Sequence, residues 1–343
     1  MNSPQAKDWD LFVENHPLGN IHQTEKFKEF SSQLPQRGKS WLITTEDHTA
    51  GTVLIRYRLP RGLSWLYAPR GPLLDYQKSP ETIQKQLTEL HTTIKKIAKQ
   101  EKAIFLRIDP PILENTQEAD NFQKTAHSLK FRPVGHGFQP QHTLIIDLTL
   151  EHDQILSQMK PKGRYNIKVA TKNGVVIRTS SPENKEQFQK DLIAFYDILQ
   201  ETTGRDGFSG HPLDYYQKML TTLFPSATLY IAENNQGKII SAAIITYFKT
   251  TATYYYGVSS NQDRNLMSPY LLHWQVMKDA KEAGCESYDL FGIAPPASPH
   301  HPWQGVTEFK KKFGGTDQQY IPASEKPLKP LLYFLYRLYK KFR

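Results

Sequence analysis

At 343 residues and 38% hydrophobic content, the chain is long enough to bury two cores of ordinary domain size. Its 43 Lys and Arg against 34 Asp and Glu leave a formal charge of +9, which favours phosphate-bearing partners such as RNA, nucleotides or anionic lipid headgroups without choosing among them. A single cysteine, Cys285, excludes an intrachain disulfide and a cysteine-based metal site, and its expected role is buried filler in a reducing compartment.

The first residues, Met1-Asn2-Ser3-Pro4-Gln5-Ala6-Lys7-Asp8, lack the apolar core of a secretory signal. The longest apolar stretch, Ile239 to Phe248, already contains Ser and Thr. A cytoplasmic protein is expected, with peripheral contact at the cytoplasmic face of the inner membrane left open. Alternating hydrophobicity then predicts strands at Trp41–Thr45, Gly51–Leu59 and Leu63–Ala68, the first two joined by the polar turn Glu46-Asp47-His48. A helix over Pro80–Gln100 leads to a strand Ala103–Ile108, closed by Asp109-Pro110-Pro111. Helical stretches follow at Glu151–Asn173 and Lys185–Thr202, neither with the continuous heptads of a coiled-coil arm.

The same order then recurs. Strands Thr228–Glu233, Lys238–Phe248 and Thr251–Val258 precede a helix Ser268–Ala283 and a strand Cys285–Leu290. Ser268 as N-cap, Pro269 at the first helical position and Gly284 after the last turn set the helix bounds. A repeated meander, helix and strand predicts an α+β fold of two similar domains with mixed, largely antiparallel sheets.

Three stretches carry candidate chemistry. Lys160, Arg164, Lys168 and Lys172 recur at four-residue spacing, so on one helix they form a cationic stripe. Like charges so placed repel, and either an anion such as an RNA backbone lies across them or acids from elsewhere relieve a solvated face. Past the Cys285–Leu290 strand, a loop Ala294–Glu308 with four prolines reaches Phe309-Lys310-Lys311-Lys312-Phe313-Gly314-Gly315. That lysine cluster, flanked by two Phe rings, reads either as an anion or oxyanion partner or as a solvated basic turn. In Tyr254-Tyr255-Tyr256, strand alternation puts Tyr254 and Tyr256 on one face. His300-His301 are adjacent, a spacing that does not suggest a metal pair, and no metal is expected.

In order and spacing these fragments resemble the Fem-type (FemABX) peptidyltransferases, which add amino acids from aminoacyl-tRNA to the stem peptide of peptidoglycan precursors. Lys160-Pro161-Lys162-Gly163-Arg164-Tyr165-Asn166-Ile167 is similar to their basic helix, and Tyr288-Asp289-Leu290-Phe291-Gly292-Ile293 with Phe309-Lys310 and Phe313-Gly314 to their final motif. Leu106-Arg107-Ile108-Asp109-Pro110, Pro212-Leu213-Asp214-Tyr215-Tyr216 and Tyr254-Tyr255-Tyr256 extend the likeness over nearly the whole chain. The resemblance implies two tandem acetyltransferase-like (GNAT-like) domains of the armless kind. One spans 1–148, completed by a returning segment 317–343, and the other spans 149–316. It further implies an aminoacyltransferase that uses aminoacyl-tRNA and lipid II or UDP-MurNAc-pentapeptide, without a cofactor, as a monomer.

Carried over residue by residue, the resemblance makes Lys310 the lysine near the transferred aminoacyl group, where it could stabilise the oxyanion. It makes Asp109 an acid near the cleft, open to proton relay or to capping a turn. Tyr215 and Tyr256, with Tyr254 beside them, would line the precursor site. Two positions depart from members that take the nucleotide-linked precursor: His211 stands where an Arg meets phosphate, and Ser31 stands near the place of a Lys, with Lys28 one turn earlier. A lipid-linked precursor, or phosphate contacts rebuilt from Lys28 and His211, would fit as well. Lys160, Arg164, Lys168 and Lys311 are the candidate tRNA contacts, and Lys312 is left to phosphate or solvent.

Two other classes compete. An acetyl-CoA-dependent N-acyltransferase would share the domain type, but the turn Gln262-Asp263-Arg264-Asn265-Leu266-Met267-Ser268-Pro269 has no glycine to admit a pyrophosphate. A non-enzymatic RNA or membrane binder is permitted by the net charge. The tail from Pro327 mixes Lys329, Arg337, Lys340, Lys341 and Arg343 with Leu331, Leu335, Leu338 and Phe342 at amphipathic spacing, which suits docking onto the first domain or a membrane surface.

Overall fold

A computed structural model describes residues 6–135, 137–206 and 210–341, and in it the chain packs as two units. The first unit is built from the chain up to Gln141 and from Gln319 onward, the second from His142–Gln318.

In the first unit, α1 (Ala6–Asn15) and α2 (Glu25–Ser32) precede β1 (Ser40–Thr44), β2 (Gly51–Arg58) and β3 (Ser64–Ala68). α3 (Pro80–Gln100), β4 (Ala103–Ile108), α4 (Gln117–Ser128) and the short β5 (Arg132–Pro133) follow. β1 to β3 form an antiparallel meander, whereas β3 and β4 run parallel because α3 carries the chain back along the sheet. Ser79 caps α3 by accepting from the Thr82 N–H, and Pro80 opens its first turn. Ile83, Leu87, Leu90, Ile94 and Ile97 then form one buried stripe, each side chain worth roughly 1.5–3 kcal/mol.

The second unit begins with β6 (His142–Asp147), α5 (His152–Gln158), α6 (Pro161–Lys172), β7 (Val176–Ser180), α7 (Lys185–Asp206) and α8 (Leu213–Thr222). β8 (Ala227–Glu233), β9 (Ile239–Phe248) and β10 (Thr251–Ser259) make its meander, and α9 (Ser268–Glu282) leads to β11 (Ser287–Gly292). α10 (Gln304–Lys310) and β12 (Thr316–Gln319) complete a seven-stranded sheet of order β12-β6-β11-β10-β9-β8-β7. β10 and β11 are again a parallel pair bridged by a helix. The fold is thus α+β, with the same arrangement in both units.

Four sequence expectations change. β6 pairs with β11, Asp147 opposite Ser287 and Ile146 opposite Tyr288, so the stretch up to 148 does not all belong with the first sheet. The Glu151–Asn173 helix breaks at Met159 and Lys160, whose ψ of 146° and 148° are extended, because Pro161 disfavours helical backbone before it. Lys160 is therefore the N-cap of α6 and not part of its helical stripe. Met267, at φ 55°, is the N-cap of α9, and Ser268 lies in the first turn with its hydroxyl accepting from Ser241. Finally, the Ala294–Glu308 loop ends in α10, so Lys310 stands on a helix.

The chain then returns to the first unit. β13 (Ser324–Pro327) inserts between β4 and β5. α11 (Pro330–Lys341) packs Leu332, Tyr333 and Tyr336 against Trp65, Tyr67, Ile104 and Phe105. Glu325, buried on β13, accepts from Arg107 Nε at 2.9 Å and from the Tyr333 hydroxyl at 2.6 Å, tying strand, sheet and helix together. No helix among the described residues is long and apolar enough to cross a membrane.

Candidate active site

Both units place their notable side chains at the carboxyl end of the parallel pair. In the second, the β10–β11 pairing runs from Thr251 opposite Ser287 to Thr253 opposite Asp289. Beyond that point β10 bulges: Tyr254 faces Ile245 and Tyr256 faces Ile244, leaving Tyr255 extra. The bulge overturns the simple alternation and sends Tyr254 and Tyr256 to opposite sides of the sheet.

On one side lies Lys310, only 6% exposed, whose Nζ donates to the Gly292 carbonyl at 2.7 Å. The same ammonium sits 5.6 Å from the centre of the Tyr254 ring. That ring packs on His273 of α9, 4.4 Å between centroids, and its hydroxyl lies where a side chain on Gly257 would have to go, 1.6 Å from the position of a Cβ. Phe309 and Phe313 do not flank the ammonium as a cage; they pack on His273 and Tyr270 in the core. Burial lowers the Lys310 pKa to about 8, against the opposing pull of Asp289. Burial, and then the Lys310 charge, lower His273 to about 3, so its imidazole is neutral while its Nδ1 lies 2.8 Å from the Tyr288 hydroxyl.

The carbonyl that receives Lys310 is itself aimed. Asp289 accepts from the Phe291 N–H at 2.7 Å and from the Thr143 hydroxyl, and Phe291 adopts φ 62°, an uncommon conformation for a non-glycine residue. This turn carries Gly292 out of regular register with β6 and toward Lys310. Asp289 stood in the quoted motif, but its turn was not legible; His273 and Thr143 gave no sequence signal at all.

On the other side, the Tyr215 and Tyr256 hydroxyls lie 3.0 Å apart, and the His211 ring stacks on Tyr215 with centroids 3.9 Å apart. The His211 N–H donates to the Tyr216 hydroxyl at 3.1 Å. The structure thus joins His211, Tyr215 and Tyr256 in one cluster and Lys310 and Tyr254 in another.

The basic stripe dissolves into separate tasks. Arg164 donates to the carbonyls of Ser157 and Met159, closing the C-terminal end of α5. Lys160 donates its backbone N–H to the Lys312 carbonyl at 3.0 Å, and a Cβ on Gly163 would lie 2.5 Å from that same oxygen. Only a glycine lets α6 approach so closely. Lys162, Lys168 and Lys172 point to solvent, with Tyr165 exposed beside them. Lys311 pairs with Asp317 at 2.7 Å, and Lys312 donates to the Tyr270 hydroxyl at 3.2 Å.

In the first unit, Asp109 follows β4 and is buried. Its two oxygens accept from the Tyr67 hydroxyl and the Arg70 N–H, each at 2.6 Å. Burial raises its pKa to about 6, with Arg70, Tyr67 and Arg107 opposing. Arg70 in turn donates to the Pro140 carbonyl at 2.8 Å and lies over the Tyr320 ring. Asp109 therefore fastens the turn after β3 to the end of β4. Lys28 pairs with Glu25 on α2. Ser31 is buried and accepts from Arg37 Nη1 at 3.0 Å, which sets a guanidinium beside a position where sequence reasoning found no cation.

A model of the FemAB family matches residues 5–238 and 226–341. Lipid II:glycine glycyltransferase of Staphylococcus aureus (strain USA300) is 22% identical over 387 residues, covering 90% of this chain and 88% of that one. The crystal structure of FemX superposes with a TM-score of 0.83 at 20% identity, covering 98% of each chain. A tandem GNAT protein from the clavulanic acid biosynthesis pathway gives 0.56 at 11% identity, covering 94% of each. Both likenesses show the fold, two acetyltransferase-like halves in tandem.

Proposed function

The chain belongs to the FemAB family, and from that premise we propose that it is an aminoacyltransferase joining an amino acid, carried as an ester on tRNA, to a stem-peptide amine of a peptidoglycan precursor. The name of the staphylococcal relatives supports glycine as the amino acid and lipid II as the precursor. The departure at His211 agrees with a lipid-linked substrate at the cytoplasmic face of the membrane, whereas beside Ser31 the Arg37 guanidinium supplies a cation.

One observation carries the chemistry: a buried lysine held at the end of the β10–β11 pair. The neutral amine attacks the ester carbonyl carbon, the C–N bond forms, the C–O bond to the ribose breaks, and the amine proton ends on the ribose hydroxyl. Between the two steps the carbonyl oxygen carries the negative charge. An ammonium has three donors, and the Gly292 carbonyl takes one from Lys310, so the others can meet that oxyanion in a dry site. The acceptor, if lysine-like with a pKa of about 10.4, must first lose its ammonium proton. Asp109, through the Tyr67 hydroxyl, is the proposed relay; His211, Tyr215 and Tyr256 are proposed to line the precursor site, with Lys28 as a phosphate contact, whereas Tyr254, expected beside them, packs on the opposite side of the sheet with Lys310. Lys160, Arg164, Lys168 and Lys311 are proposed to meet tRNA, although Arg164 and Lys311 already hold partners within the chain.

The test is to incubate the protein with charged tRNAs and either lipid II or UDP-MurNAc-pentapeptide and to weigh the product. A gain of one amino-acid residue that requires charged tRNA is expected. No gain with either precursor, or acylation driven by acetyl-CoA instead, overturns the reading.

A further inference from the structure

The outer face of α6 differs from the stripe that the even spacing of basic residues suggests. Lys160 precedes the helix, and Arg164 turns back to the carbonyls of Ser157 and Met159. Lys162, Tyr165, Lys168 and Lys172 face solvent instead, spaced by three, three and four residues and so neighbours along one side of the helix. Gly163, Asn166, Ile167 and Ala170 take the opposite, buried side. Tyr165 is 66% exposed, the one large apolar side chain of α6 that stands out in solvent. Among the described residues none of the three lysines forms an ion pair. The first turn of α6, where an acid would ordinarily answer the helix dipole, holds no acid either.

Three uncompensated cations around one exposed ring suit a partner that is anionic along its length and carries flat groups. Single-stranded nucleic acid is such a partner: its phosphates meet lysine while an unpaired base stacks on an aromatic face. A bilayer would need more than one apolar side chain to sink into it. A double helix keeps its bases stacked inside and offers the ring nothing. The position of the face points the same way. α6 is held against the segment that follows Lys310, because the Lys160 N–H donates to the Lys312 carbonyl at 3.0 Å and Gly163 lets the two backbones close. On the transferase reading, on which this inference rests, the ester at Lys310 is the 3′ end of a tRNA. The nucleotides behind that ester continue as an unpaired strand, and α6 is the cationic surface that adjoins it.

We infer that the outer face of α6 holds the unpaired end of the RNA, with one base stacked on Tyr165 and the adjoining phosphates on Lys162, Lys168 and Lys172. Fluorescence anisotropy of a labelled, uncharged single-stranded RNA octamer reads the contact without turnover, beside the same sequence as a duplex. The full-length protein is compared with Tyr165→Ala, with Tyr165→Phe, and with Lys162→Gln, Lys168→Gln and Lys172→Gln combined. Tyr165→Ala should weaken single-strand binding about tenfold, and Tyr165→Phe, which keeps the ring, should stay within about twofold of wild type. The lysine variant should lower the slope of log affinity against log salt by about two. The duplex should bind more weakly and be unmoved by Tyr165→Ala. Circular dichroism and thermal melting check that the variants remain folded. Equal single-strand binding by wild type and folded Tyr165→Ala overturns the proposal, as does an equal loss on the duplex. So does a wild type that ignores the RNA but floats with phosphatidylglycerol vesicles through Tyr165, since a bilayer would then be the occupant. The transfer assay keeps the two readings apart. Tyr165-dependent RNA binding with no product overturns the transferase and upholds this contact; product whose KM for charged tRNA is unmoved by Tyr165→Ala does the reverse.

Discussion

At the residue scale, a lysine titrating at about 8 is charged at neutral pH and discharged just above it. If its ammonium holds the oxyanion, activity falls as pH rises through about 8. Asp109, raised to about 6, must ionise to take a proton, so activity climbs as pH rises through about 6. A bell-shaped kcat/KM profile with those two limbs is expected under steady-state assay. In Lys310→Ala, kcat should fall on the order of a hundredfold or more and the alkaline limb governed by Lys310 should vanish. Unchanged turnover in that variant would return Lys310 to a structural role, satisfying the Gly292 carbonyl. Asp109→Asn keeps an acceptor for Tyr67 and should erase the limb near 6; persistence of that limb assigns it to another group.

At the element scale, what the sequence made legible were elements with strong periodicity and clear ends. α3 and β4 lie where alternation and capping place them, because Ser79, Pro80 and a single apolar stripe all agree. What escaped were local departures that tertiary partners impose. The bulge at Tyr255 reverses the side of Tyr256, and nothing in three consecutive tyrosines reports it. The break before α6 did have a signal in Pro161, overridden by the even spacing of the basic residues. Gly163 shows the contest of magnitudes. Alanine there gains about 1 kcal/mol in helix propensity at most, but its Cβ meets the Lys312 carbonyl at 2.5 Å. Forced overpacking costs about 1–3 kcal/mol, so Gly163→Ala should be destabilised in urea and should displace Lys310 with its helix. A variant both more stable and fully active would show that the contact relaxes freely.

At the scale of the whole molecule, the two units repeat one plan, meander, helix and parallel strand, and each sets its candidate residues at the same end of that strand pair. The repeat was readable because it rests on hydrophobic period and turn residues. The boundary was not, because β6 and β13 change sheets through pairing partners that lie far away in sequence. Glu325 likewise reads as one more surface acid, yet it is buried and holds Arg107 and Tyr333 together.

The insertion of β13 between β4 and β5 also sets an order of events on the ribosome. About two hundred residues separate β5 from β13, so at 5–20 residues per second the first sheet stays open along β4 for roughly 10–40 s of synthesis. The second unit has all its strands by Gln319 and can close earlier. Nascent chains stalled with residue 320 outside the exit tunnel should therefore resist protease over 142–318 and be cut within 1–141; equal protection of both would show that the first unit closes without its last strand. Until then the unpaired edge of β4 is a surface for a chaperone to shield.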